Sequence, residues 1–284
     1  MVQSLRSIDH VEDLLDRLRL DATARSRGAV VVEGPNDADV LSEVFSEDSL
    51  TFFPVDGRAN VIEAAERLGD HYLSGVICVA DADFDDEVNI RATQWFLVFT
   101  DNADLDTMCY ASPALERVLA AWGSRTKLAA YGGVASVRAS VADVVRPLSV
   151  LRRANALGGH CLRFDAIDLH TVVTKDPLEL RTQGLIDRLA SVSSVSVEKI
   201  AELLEGEEPV CFHTGSLLMR GRDCLTVVDI ALRKVVGNLA HQQVKDGLAR
   251  RSLVLAIRAA DLATTPFVER VRAAAARALA TPDG

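Results

Sequence analysis

At 284 residues the chain has room for one large domain or two modest ones, and its 49% hydrophobic and 25% charged content excludes a disordered or fibrous protein. The net charge of −10 argues against a protein that coats nucleic acid indiscriminately, though not against an enzyme with an acidic metal site and a local basic patch. No uninterrupted apolar run reaches the roughly 20 residues that span a bilayer, so no membrane contact is expected.

Taken in order, residues 1–20 carry charges throughout and predict an amphipathic helix in place of the apolar segment of a signal peptide. "AVVV" at 29–32 predicts a first strand. A helix from Asp37 to Phe45, a short strand in "LTFFPV" at 50–55 and, after a glycine turn, a helix within 57–72 follow. "GVICVA" at 75–80 and "WFLVFT" at 95–100 are continuous apolar runs of the kind that fill buried parallel strands. A further helix begins within 103–110.

Strands alternating with helices imply an α/β fold with a parallel sheet flanked by helices. Beyond about residue 122 the strand signal fades. Helical patterns then dominate at 138–157, 178–191, 196–204, 222–236 and 241–262, with a last helix from Pro266 to Ala280. The division read from this is an α/β domain with its N-terminal helix at 1–125 and a mainly helical C-terminal region packed on it at 126–284. The five cysteines are scattered, with no CxxC pair, which predicts reduced thiols and a cytoplasmic protein. "HC" at 160–161 and "CFH" at 211–213 lack the spacing of a structural zinc site.

Three of the predicted strands end in acids. The first ends in Glu33, with Asp37 one helical turn on; the glycine between them, Gly34, is expected to let the backbone turn sharply. "GVICVA" runs into Asp81, Asp83, Asp85, Asp86 and Glu87, and "WFLVFT" into Asp101, Asp104 and Asp106. Parallel strands align their carboxyl ends along one rim, where open α/β sheets bind ligands. Converging carboxylates need a cation, and an all-oxygen site suits Mg²⁺ or Mn²⁺. If the backbone stays extended, Asp81 and Asp83 face the same side and one ion. Acids after strands also serve as turn residues and helix caps, the role expected of Asp104 if it acts alone.

This order of motifs resembles the Toprim domain, the metal-binding α/β fold of bacterial primases, topoisomerases and overcoming-lysogenization-defect (OLD) nucleases. The resemblance rests on Glu33-Gly34 after the first strand and Asp81-Ala82-Asp83 after a later one, and Asp37 matches the extra acid of the OLD branch. "VVEGPNDADVL", "PVDGRANV", "VADADF" and "FTDNADLDTM" look like the Toprim-like domains of phage-defence effectors such as the AriB component of the PARIS system. "RGRDCLTVVDIAL" at 220–232 is also similar to that group, with no chemistry assigned to it. The resemblance covers 29–110 well and the helical remainder loosely; the glycine usual after the Asp-x-Asp pair is replaced by Phe84 and Asp85. It implies a Mg²⁺- or Mn²⁺-dependent nuclease acting on DNA or RNA, tRNA included. Glu33, Asp81 and Asp83 are then catalytic, and Glu33, Asp37, Asp81 and Asp83 are metal ligands. It further implies an antiviral defence effector restrained or activated by an ATPase partner; self-association is a further expectation.

Arg146, Arg152, Arg153 and Arg163 lie in an acid-free stretch, 145–163, and are the expected contacts to nucleic-acid phosphates. Smaller basic clusters are Arg220 with Arg222, Arg233 with Lys234, and Lys245 with Arg250 and Arg251; Lys175 is a further candidate to reach a phosphate. No glycine-rich phosphate loop with Lys-Ser/Thr is present, so ATP dependence would come from a partner. The chain is too short for a topoisomerase. Two alternatives stand beside the nuclease: a non-catalytic Toprim-like binding or assembly module, and a receiver-like signalling domain using Glu33, Asp81 and Thr100.

Overall fold

The computed structural model describes residues 2–175, 177–244 and 247–283. It begins with α1 (Val2–Leu20), α2 (Ala22–Arg27), β1 (Ala29–Val32), α3 (Pro35–Val44), β2 (Thr51–Pro54), α4 (Arg58–Asp70), β3 (Val76–Ala80), α5 (Glu87–Ile90) and β4 (Leu97–Phe99). Among the described residues the four strands make one all-parallel sheet in the order β2-β1-β3-β4. The α/β class with a helix-flanked parallel sheet is therefore what the chain adopts.

Each strand explains its place. Every residue of β1, β3 and β4 is buried, as apolar and β-branched runs in a covered parallel sheet must be. β2 lies at an edge, half-buried, and ends in Pro54, which has no N–H to give a neighbour. α3 packs on β2, α4 on β1 and β3, and α1 on α4; Val11, Leu15 and Leu18 are the buried stripe of α1. The chain runs from β1 out to β2 and then back past β1 to β3. That reversal makes the carboxyl ends of β1 and β3 the switch point where ligands bind in open α/β sheets.

The following stretch is helical: α6 (Leu105–Ala111), α7 (Ala114–Trp122), α8 (Arg125–Ala130), α9 (Gly133–Gly158), α10 (Leu169–Val172), α11 (Thr182–Val192), α12 (Val197–Leu204), α13 (Gly221–Lys234), α14 (His241–Val244) and α15 (Leu248–Ala256). α16 (Ala259–Leu262) and α17 (Pro266–Ala280) complete the chain. The single helix expected at 241–262 is three short ones, and residues 245–246 of it lie outside the described residues. Gly247, at φ 71°, breaks the helical path, and the Asp261 carboxylate, accepting the Arg258 backbone N–H at 2.9 Å, starts the third piece.

Compactness divides the chain in two, and not at residue 125. The first unit is Met1–Ala82, Glu87–Asp101 and Ile257–Gly284; the second is Asp83–Asp86 and Asn102–Ala256. α17 belongs with the sheet because it packs on β3 and β4. The two carboxylate oxygens of Asp101, just after β4, fix that helix: one accepts the Phe267 N–H at 2.8 Å, and the other accepts from Arg270 at 2.9 Å.

In the second unit α13 is the central helix, packed on α6, α9 and α15. This is the "RGRDCLTVVDIAL" run, and its residues serve packing. Gly221 donates its N–H to both oxygens of Asp104 (3.0 and 2.9 Å), and a Cβ there would lie 2.6 Å from Asp104 Oδ1. Asp223 is gripped by Arg152 through two hydrogen bonds of 2.7 and 2.9 Å, and Asp229 accepts the Ala249 N–H at 2.9 Å.

Candidate functional site

The register of β1 against β3 pairs Val31 with Cys78; continued two residues on, it brings Glu33 level with Ala80, one residue before Asp81. The result is a direct bond: the Asp81 N–H donates to Glu33 Oε1 at 2.8 Å. The Asp81 carbonyl is held from the other side by Arg58 Nε at 2.8 Å. The next peptide is held too, since the Ala82 N–H donates to Thr100 Oγ1 at 3.0 Å. Three segments thus clamp the end of β3 where its acid emerges.

The turn entering α4 completes the rim. Asp56 and Gly57 both have positive φ (62° and 110°), and Gly57 at ψ 163° occupies a region open only to glycine. In this conformation the Gly57 N–H donates to the Glu33 carbonyl at 2.8 Å. The buried Asn60 side chain ties the turn back to the carbonyls of Val55 and Asp56. Arg58, the first residue of α4, is brought to Asp81 by this turn. The sequence carried no mark of that role beyond its place in "PVDGRANV".

Gly34 behaves differently from expectation. Its φ of −149° and ψ of 171° are extended, a conformation any residue adopts, and a Cβ there would meet Asp37 Oδ2 at 3.4 Å. The turn into α3 comes instead from Pro35 at the helix start, whose fixed φ suits that position. Asp37 lies in the first turn of α3, near the positive end of the helix dipole. Both α3 and α4 begin at this rim without a side-chain cap.

Asp83 is not a continuation of the strand. Its φ of 50° is left-handed, so the alternation that would aim Asp81 and Asp83 to one side is interrupted, and Asp83 falls in the second unit. Among the described residues, no three His, Cys, Asp or Glu side chains gather closely enough to hold a metal. The donor set of the first unit fits a Mg²⁺ bound in the open manner of phosphate-transfer sites, through one or two carboxylates with water and substrate oxygens filling the rest.

The other acids after β3 and β4 have structural partners. Arg153 donates to the carbonyls of Phe84 (2.7 Å) and Asp85 (2.8 Å) and to Asp86 Oδ1 (2.7 Å), while Phe84 is buried with Ala103, Cys211 and Leu218. Glu87 pairs with Arg91, and Asp106 with Arg250. Asp104 caps α6 by accepting the Thr107 N–H at 2.7 Å, and burial pushes its carboxyl up to about 6. Asp101 is committed to α17, as described.

Three of the four arginines of 145–163 are likewise engaged. Arg152 holds Asp223, Arg153 holds the 84–86 loop, and Arg146 pairs with Glu208. Arg163 is exposed. Of the remaining basic clusters, Lys245 lies outside the described residues.

All five cysteines are free thiols, four of them buried. No described helix is long and apolar enough to cross a membrane. No protein-family model matches the chain, and no curated protein matches it in sequence.

Proposed function

We propose that the chain is a Toprim-like, Mg²⁺- or Mn²⁺-dependent nuclease that hydrolyses phosphodiester bonds of DNA or RNA and serves as a cytoplasmic anti-phage effector under an ATPase partner. The observation that carries this reading is the 2.8 Å bond from the Asp81 N–H to Glu33 Oε1 at the β1/β3 switch point. The motif order of the sequence resembles that family, and the rim offers a chemistry suited to it.

Glu33 and Asp81 would hold the ion, with Asp37, in the first turn of α3, as the further ligand of the first unit. The bound ion would lower the pKa of its water and offset charge on the phosphate. Glu33, oriented by the Asp81 N–H, takes the proton of the attacking water. Arg58 fixes the Asp81 peptide, so the acid is presented by a rigid strand end. The uncapped N-termini of α3 and α4 offer backbone N–H groups and positive dipole ends to substrate phosphate.

A second reading, a Toprim-like scaffold that binds without cleaving, is favoured by one observation: no three acids are gathered among the described residues. The receiver-like reading shares the strand order, which is that of flavodoxin-like folds. It is disfavoured by Thr100, which is buried with its hydroxyl turned to the Ala82 N–H. Purified protein incubated with plasmid DNA or total tRNA, with Mg²⁺, Mn²⁺ or chelator, separates these readings. The nuclease cleaves only with metal and loses activity in Asp81→Asn. If no substrate is cut with or without a co-purifying ATPase, the nuclease reading is wrong.

A further inference from the structure

α13 ends in Arg233 and Lys234. Cations in a last turn ordinarily complement the helix dipole, which would account for these two alone. Other elements bring further nitrogen-bearing side chains to the same place. α10 packs on α13 and carries His170, whose Nδ1 lies 3.4 Å from an Arg233 guanidinium nitrogen. His241, the first residue of α14, meets the His170 ring edge-on at 5.8 Å between centroids. Lys175, in the turn after α10, lies close enough to Lys234 to feel its charge.

These groups repel one another. Lys175 is held below the ordinary lysine pKa chiefly by Lys234, with desolvation and Arg233 adding to it. His170 is held below its ordinary value by burial first, then by Arg233, His241 and Lys175, against the pull of Asp168. Asp168 is already the cap of α10, accepting the His170 N–H at 2.9 Å. Arg233 Nε is buried with no hydrogen-bond partner among the described residues. Lys175, Arg233 and Lys234 form no ion pair with any described acid, whereas Arg146, Arg152 and Arg153 all do.

We infer that His170, Lys175, Arg233, Lys234 and His241 form a binding site in the second unit for the phosphate backbone of nucleic acid. Unneutralised cations from the turn after α10 and from α13, flanked by the imidazoles of α10 and α14, make a surface that an anionic polymer would satisfy. The choice of polymer rests on the nuclease reading. Neutral His170 with Nδ1 facing Arg233 keeps its other ring nitrogen as a donor, which suits a phosphate oxygen.

The test is binding of labelled single-stranded DNA and RNA oligonucleotides to the full chain in chelator, titrated over a salt series, with and without Lys175→Gln/Lys234→Gln. The charge-matched control is Arg19→Gln/Arg272→Gln, in the first unit. The patch variant is expected to bind at least fivefold more weakly at moderate salt. Its salt slope should fall by roughly 0.7 for each phosphate that the two lysines no longer neutralise. The control should match the wild type. Equal affinity and slope in the patch variant and wild type would overturn the inference, as would absent binding by the wild type. So would displacement of the oligonucleotide by inorganic phosphate at constant ionic strength, which would indicate a small-anion site. Cleavage assayed separately distinguishes the two proposals. Patch-dependent binding without metal-dependent cleavage upholds the site and removes the nuclease; cleavage with no patch dependence of binding does the reverse.

Discussion

Glu33 Oε1 accepts the Asp81 N–H at 2.8 Å, joining the acids at the ends of two neighbouring parallel strands. The bond orients the Glu33 carboxylate without using a side-chain group of Asp81. Its consequences are local and separable.

The two glycines near the rim should respond differently to alanine. Gly57 sits at φ 110°, ψ 163°, so Gly57→Ala should cost roughly 1–3 kcal/mol in denaturant unfolding. Gly34 is extended with its nearest obstacle at 3.4 Å, so Gly34→Ala should cost under about 1 kcal/mol. Equal costs would contradict the assignment of the required turn to Gly57.

Arg58 is a positioning residue through its bond to the Asp81 carbonyl. Arg58→Ala should lose about 1 kcal/mol of stability. Catalytic turnover should fall by more than that energy accounts for, with KM for substrate little changed. Arg58→Lys, which retains a donor, should recover part of the turnover. Comparing melting curves with steady-state rates for the pair checks this, and a turnover loss no larger than the stability loss counts against it.

Arg152, expected from the sequence to grip phosphate, instead forms a nearly buried pair with Asp223. Arg152→Ala should destabilise the protein by roughly 3–5 kcal/mol, because Asp223 is left charged and unpaired. Nucleic-acid affinity of the folded fraction should not change. A stable variant with weakened binding would return Arg152 to the interface.

Much of the first unit was legible because its signals are local. "AVVV", "VICVA" and "LVF" are apolar over their whole length, which demands burial on both faces, and the acids that follow them sit where the chain must leave the sheet. What was not legible depends on partners far along the chain. Asp101 finds Arg270, Asp106 finds Arg250, and Asp104 finds the Gly221 N–H; none of these pairings has a spacing that a sequence reveals. An acid awaiting a metal and an acid awaiting an arginine look alike until the fold is known. The same holds for Arg58, recruited by a turn whose geometry depends on Gly57.

Asp229 gives a pH dependence with a definite sign. Burial pushes its carboxyl up from the ordinary 3.8 to about 6, with the Ala249 N–H and Arg251 opposing. The folded state therefore binds the proton more tightly than the unfolded one. This contribution is fully present below about pH 3.8 and is lost as pH rises through about 6. Asp229→Asn keeps an oxygen for the Ala249 N–H and removes the ionisation. Chemical unfolding between pH 4 and 7 should show a smaller loss of stability with rising pH in the variant than in the wild type. Identical slopes would mean that Asp229 does not titrate in this window.

The most direct test of the central claim is the rate of Mg²⁺- or Mn²⁺-dependent cleavage by wild type and Glu33→Gln measured side by side. Glutamine keeps an oxygen for the Asp81 N–H and removes the charge, so both proteins should melt within a few degrees of each other. The account predicts metal-dependent cleavage by the wild type, reduced at least about 100-fold in the variant. Cleavage that persists undiminished in Glu33→Gln would contradict it.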